Sequence, residues 1–274
     1  MQRNLDSGRR CGRCCQGIHL PQDYPEAQSA AWPLNSIYAL YSRGIRLNQI
    51  WNKTWEALVV SWAERSMAEA DSGHGIDHVK RVVVSATQIA VSEKANIDVV
   101  IPAAWLHDCV FVPKNSALRS QASRIAAEAA SEYLNAISYP PELIAEIHHC
   151  IEAHSFSANI PCQSIEAMVV QDADRLEALG AIGIARCLMT GGAMKQRLYH
   201  PTDPFPTSRE PEDTRQSVDH FFAKLFKLPK TMQTATGLRI AQSRTEFMIQ
   251  FLRQLSTELG VEESALNNAI STLL

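Results

Sequence analysis

The chain contains no run of about 18 consecutive apolar residues, which is what a membrane-spanning helix needs. Its first residues lack the basic start and continuous apolar run of a secretory signal, so a cytoplasmic protein with no membrane partner is expected. Charge of either sign is barely in excess, at −3 over 274 residues. A surface that tracks a nucleic-acid polymer needs a clear Lys/Arg surplus, so that class of partner is not expected. Alternation of the strand type is scarce, and no internal repeat is present. The seven cysteines fall into two groups. Cys109, Cys150, Cys162 and Cys187 lie in apolar segments and read as reduced, buried packing thiols. Cys11, Cys14 and Cys15 crowd the N-terminus. Cys11-Gly12-Arg13-Cys14 resembles half a zinc knuckle, but a structural zinc needs four ligands and no second pair lies near it.

Hydrophobic residues make up 46% of the chain, enough for a sizeable core. Residues 1–47 combine Arg9, Arg10, Arg13, several prolines and the cysteine cluster without sustained helical period. They are expected to form a poorly ordered extension, or to follow from a start codon set too far upstream. Residues 48–274 are expected to form one all-α domain of at least seven helices. Trp51, Trp55, Leu58, Val59 and Trp62 recur at three- and four-residue steps, as do Val79, Val82, Val83, Ala86 and Ala90. Asp98 can cap a helix through Leu106. Residues 122–137 are Ala-rich and uninterrupted. Pro141 suits the first position of the next helix. Ser164 can cap a long helix reaching about Met189. A loop rich in Pro, Asp and Thr covers 199–214, and helices from Ser217 and about Pro229 complete the pattern.

Four places carry chemistry. They are His74-Gly75-Ile76-Asp77-His78, His107-Asp108 closing an apolar helix, the segment with His148, His149 and His154, and Asp172-Ala173-Asp174-Arg175 within a very apolar helix. A carboxylate after a long apolar run is costly to bury unless it finds a charge partner, hydrogen bonds or a metal. Two histidines with two aspartates suit a first-row divalent metal with positions left for water and substrate. Such an ion acidifies water and withdraws charge from phosphoryl oxygens. An adjacent His-Asp pair alone is more often a helix-end contact; it is the spaced combination that carries weight. On an ideal helix Asp172 shares a stripe with Ile165, Met168, Val169 and Leu176, and Asp174 lies with Val170, Ala178 and Ala181. Both stripes are apolar, so periodicity does not choose between the two.

His78-Val79-Lys80-Arg81-Val82, Leu106-His107-Asp108 and Ala173-Asp174-Arg175-Leu176 together resemble the signature of the HD superfamily of metal-dependent phosphohydrolases. The similarity extends over about residues 50–260 to its bacterial YedJ/YpgQ-type members, through Lys114-Asn115, His154-Ser155-Phe156-Ser157, the run from Gln171 to Gly183, Asp203-Pro204-Phe205, Asp219-His220-Phe221 and Lys227-Leu228-Pro229. The resemblance implies an HD-type helical bundle with metal ligands at His78, His107, Asp108 and Asp174, its register favouring Asp174 over Asp172. Asp172 would then be a buried hydrogen-bond acceptor. It further implies substrate contacts from His74, Lys114, Arg119 and His154, with cationic groups holding phosphate oxygens. His149 and His154 are candidates for a second metal, although the helix from Pro141 sets His149 well away from His154.

The implied activity is hydrolysis of a nucleotide or related phosphate ester or anhydride. A nucleoside triphosphate cut to monophosphate and pyrophosphate is the leading form. Nucleoside monophosphatase, cyclic-nucleotide phosphodiesterase and non-catalytic nucleotide-sensing module are the alternatives. Manganese is the metal expected, with magnesium, iron, cobalt and nickel as alternatives.

Overall fold

The computed structural model describes residues 50–67, 75–112, 116 and 118–271. The expectations for residues 1–47, and for His74 and Lys114, lie outside them. Among the described residues there are ten α-helices and no strand; a single bridge joins Arg197 to Gln216. The helices are α1 (Lys53–Ser66), α2 (Ile76–Glu93), α3 (Ile97–Leu106), α4 (Ala122–Ala136), α5 (Pro141–His154), α6 (Ile165–Leu176), α7 (Gly180–Ala193), α8 (Asp219–Ala223), α9 (Ala235–Leu259) and α10 (Glu263–Ser271). Short 3-10 turns occupy Arg119–Gln121, Phe156–Ala158 and Leu225–Thr231. No single helix among the described residues is long and apolar enough to cross a membrane.

The centre is built from α2, α3, α5 and α6, which pack on one another. The expected α2 stripe of Val79, Val82, Val83, Ala86 and Ala90 is entirely buried. From Val99 to Leu106, α3 is buried on every side, as a helix apolar all round must be. On its outer side lies α1, whose Asn52 side chain caps it by accepting from Thr54 N and Trp55 N. Trp62 of α1 stacks on Tyr133 with ring centres 4.5 Å apart. Further along, α7 packs on α9.

Four local expectations change. Asn96, not Asp98, caps α3, its Oδ1 accepting from Asp98 N. Asp98 falls in the first turn, where its carboxylate accepts from the backbone N–H groups of Ile50 and Trp51. Ser164 does cap α6, but the helix stops at Leu176 and the chain bends 58° into α7. At the break Gly180 takes φ +72°, and a Cβ on Gly183 would stand 2.3 Å from the Ala178 carbonyl oxygen. The helical period read from Ser164 to about Met189 ran straight through this break. The helix expected from Ser217 is the short α8, and Pro229 lies in a 3-10 turn. The long C-terminal helix begins only at Ala235 because Thr234 caps it, accepting from Gly237 N at 2.9 Å. Cys109 and Cys150 are buried, whereas Cys162 and Cys187 are half-buried; all four are free thiols.

Candidate metal centre

Two of the site histidines are aimed by the helix ends on which they sit. A helix leaves its last carbonyls without internal partners. His107 follows α3 and its Nδ1 donates to the Ala104 carbonyl at 2.8 Å. His154 ends α5 and its Nδ1 donates to the Ile151 carbonyl at 2.6 Å. Each ring thus keeps its Nδ1 proton on its own helix and presents Nε2 to the space between the helices. His78 enters the same space from the first turn of α2, and Asp174 from α6. His78 Nε2 lies 3.3 Å from Asp174 Oδ1, and His107 Nε2 lies 3.9 Å from that oxygen. Asp108 joins through Oδ2, 3.7 Å from His107 Nε2, and through Oδ1, 3.6 Å from His154 Nε2.

The donors form two groups that share His107: His78, His107 and Asp174, and His107, Asp108 and His154, each with ligand atoms within 4.8 Å of one another. His107 Nε2 is buried and has no hydrogen-bond partner among the described residues. An orphaned imidazole nitrogen facing two carboxylates is what a divalent cation would complete, so the residues present fit a metal. His78, His107 and His154 are nearly inaccessible, whereas Asp108 and Asp174 are 31% and 29% exposed. The centre is therefore walled by imidazoles and open on its carboxylate side.

The electrostatics follow from burial and proximity. Burial pulls His78 down, but hydrogen bonds to Asp174 and Glu177 outweigh it and raise its pKa to about 9. Burial dominates at His107, whose pKa falls. At His154 burial is outweighed by the hydrogen bond to Asp108, and its pKa rises. Burial would raise Asp108 and Asp174, yet the surrounding imidazoles hold both well below the usual carboxylate range.

Asp172 points elsewhere. Fully buried, it accepts from Gln233 N, Thr234 N and Thr234 Oγ1, each at 2.8 Å. It thus pins the turn before α9, and burial outweighs these bonds to raise its pKa. His149 is also turned away, its Nε2 accepting from Gln163 N at 3.0 Å. Arg119 donates from Nη1 to the Val112 carbonyl, closing its own loop. The expected 199–214 loop is held by Asp203, which accepts from Thr207 and Ser208, and by Arg209 bonded to buried Asp219.

Three residues at this centre, Arg81, Glu177 and Arg186, were given no role from the sequence, although the first two lie within the quoted motifs. Glu177 is buried, accepts from Arg81 Nε at 2.8 Å and faces His78 Nδ1 at 3.4 Å, with Arg186 Nη1 3.9 Å away. Burial would raise its pKa, but His78 and Arg81 lower it. The available signal was spacing: Arg81 follows His78, and Glu177 follows Asp174, by one helical turn.

Residues 75–179 match the HD domain family. The chain is 34% identical over 204 residues to YpgQ of Bacillus subtilis (strain 168), covering 73% of this chain and 91% of that protein. The crystal structure of B. subtilis YpgQ in complex with ADP aligns at TM-score 0.58 and 31% identity, covering 74% of this chain and 93% of that one. An HD-superfamily hydrolase from Bacillus thuringiensis aligns at TM-score 0.60 and 31% identity, covering 76% and 99%. With its helical bundle and its His/Asp cluster, the chain belongs to the HD domain family.

Proposed function

We propose that the protein is a metal-dependent phosphohydrolase acting on nucleotides, with a nucleoside triphosphate cleaved to monophosphate and pyrophosphate. The observation that carries this reading is the buried Nε2 of His107, without a hydrogen-bond partner among the described residues and lying between the carboxylates of Asp108 and Asp174. His78, His107, Asp108 and Asp174 would hold the cation, manganese foremost. The ion would supply an acidified water and charge withdrawal from phosphoryl oxygens. The nucleotide substrate class is supported by the ADP complex of YpgQ.

The chain's own residues have separable tasks. His107 and His154 keep their Nδ1 protons on backbone carbonyls, which fixes their rings before any ligand arrives. Asp108 and Asp174 would bind the cation with negative charge from the accessible side of the centre. His154, 3.6 Å from Asp108, is placed to touch a phosphate oxygen. In the reaction the oxygen of water would bond to the α-phosphorus and give up a proton to solvent, while the bond from that phosphorus to the bridging oxygen breaks and pyrophosphate leaves with its electron pair.

The test is a screen of purified protein against nucleoside triphosphates, monophosphates and cyclic nucleotides with several divalent metals, repeated with His107→Ala and Asp108→Ala. Metal-dependent release of pyrophosphate, abolished in both variants while helical circular dichroism persists, is expected. Activity confined to monophosphates or cyclic nucleotides would change the substrate class. Nucleotide binding without turnover would make the domain a sensing module.

A further inference from the structure

His78 is held differently from its two neighbours. His107 and His154 sit at helix C-termini and use Nδ1 on their own carbonyls. His78 is in the first turn of α2, where the helix's own spare backbone groups are N–H donors. Its Nδ1 instead faces Glu177 Oε2 at 3.4 Å, across 99 residues of sequence. Glu177 is only 2% exposed, and a carboxylate that deeply buried is costly without partners. Arg81 supplies one at 2.8 Å, and the Arg186 guanidinium lies 3.9 Å from the same oxygen.

We propose that Glu177, held by Arg81 and Arg186, is a positioning residue that keeps the His78 proton on Nδ1 and so turns Nε2 toward the metal. The inference rests on the metal-centre reading above and names what sets the one ligand ring that does not sit at a helix C-terminus. A carboxylate behind a ligating imidazole fixes its tautomer and orientation and raises its basicity.

The competing role is structural, a salt-bridge network tying α2 to the link between α6 and α7. It makes a different demand on His78. Arg186 Nη1 comes within 3.5 Å of His78 Nδ1, and a guanidinium only donates. Were Nδ1 bare, Arg186 would fill it, Nε2 would carry the ring proton, and His78 could not ligate through Nε2.

Calorimetric titration of metal-free wild type and Glu177→Gln with Mn²⁺ separates the two roles, together with histidine ¹⁵N NMR of wild type loaded with diamagnetic Zn²⁺. Positioning predicts that Glu177→Gln weakens Mn²⁺ binding about 10–100-fold while the nucleotide KM at saturating metal stays near wild type. It also predicts that His78 in the Zn²⁺-loaded protein is protonated at Nδ1 and ligated at Nε2. Wild-type Mn²⁺ affinity in Glu177→Gln, even with a lower melting temperature, overturns the inference and leaves a structural network. A His78 ring protonated at Nε2 overturns it equally, and decides alone if the variant does not fold. Failure of wild type to bind any divalent metal would instead remove the metal centre, and the inference with it.

Discussion

The Tyr139 hydroxyl donates to the Asp98 carbonyl at 2.7 Å, from the far side of α3. That carbonyl is the one Pro102 leaves vacant. An interior helical residue normally donates its N–H to the carbonyl four positions back, and proline has no N–H. Both the tyrosine and Asp98 are buried, so water does not replace the missing donor. Tyr139→Phe is expected to cost about 1–3 kcal/mol, the penalty of an unsatisfied buried acceptor. That corresponds to about 2–4 °C in Tm per kcal/mol for a domain of this size. An unchanged melting temperature would refute the compensation.

The two aspartates of α6 should fail differently. Asp174→Asn removes a charge 3.3 Å from His78 Nε2 and is expected to abolish most metal affinity and activity with little loss of fold. Asp172→Asn sets an amide NH₂ against donors from Gln233 or Thr234. It should lose about 1–3 kcal/mol of stability and retain its metal. Metal content and melting temperature of both variants decide the matter. The reverse pattern would mean that α6 presents its other face to the centre.

Gly237 tests the Asp172 anchor from the other side. In an exposed helix Gly→Ala gains up to about 1 kcal/mol. Here an added Cβ would stand 2.3 Å from Asp172 Oδ2 and 2.8 Å from Thr234 Oγ1. Crowding should win, and Gly237→Ala should destabilise by about 1–3 kcal/mol. A higher melting temperature for the variant would show that the turn before α9 can yield.

Glu93, the last residue of α2, accepts from Thr236 N at 2.7 Å in the first turn of α9. Hydrogen bonds from Thr236 hold its pKa below the ordinary value. A carboxylate lowered in the folded state stabilises fully above its unfolded pKa, about 4.3, and loses that contribution as pH falls through its folded value. Glu93→Gln should therefore lower Tm relative to wild type at pH 7, and the gap should shrink by about pH 3. Equal gaps at both values would remove the charge from the account.

Much of this protein could be read along the chain because its signals are local. Helical content, the buried stripe of α2, the Ser164 cap and Pro141 at the head of α5 depend on neighbours within a turn or two. His78, His107 and Asp108 stand out because polar residues interrupting apolar helices demand a partner. Other features needed the fold. Periodicity reports that a face is buried, not what buries it. Both faces of α6 are covered, one by the helices of the candidate metal centre and the other by the start of α9, so the helical wheel could not separate Asp172 from Asp174. The break between α6 and α7 interrupts a helical period that continues in the sequence, and it rests on Gly180 and Gly183, whose backbone geometry is set by contacts. Glu177 reaches His78 and Arg81 only after about a hundred residues have folded between them. The types of residue a metal centre needs were thus determined by the sequence itself. Which carboxylate lies beside His78 Nε2 and which beside its Nδ1 was decided only when α2 and α6 packed, because those are distances between helices rather than spacings within one.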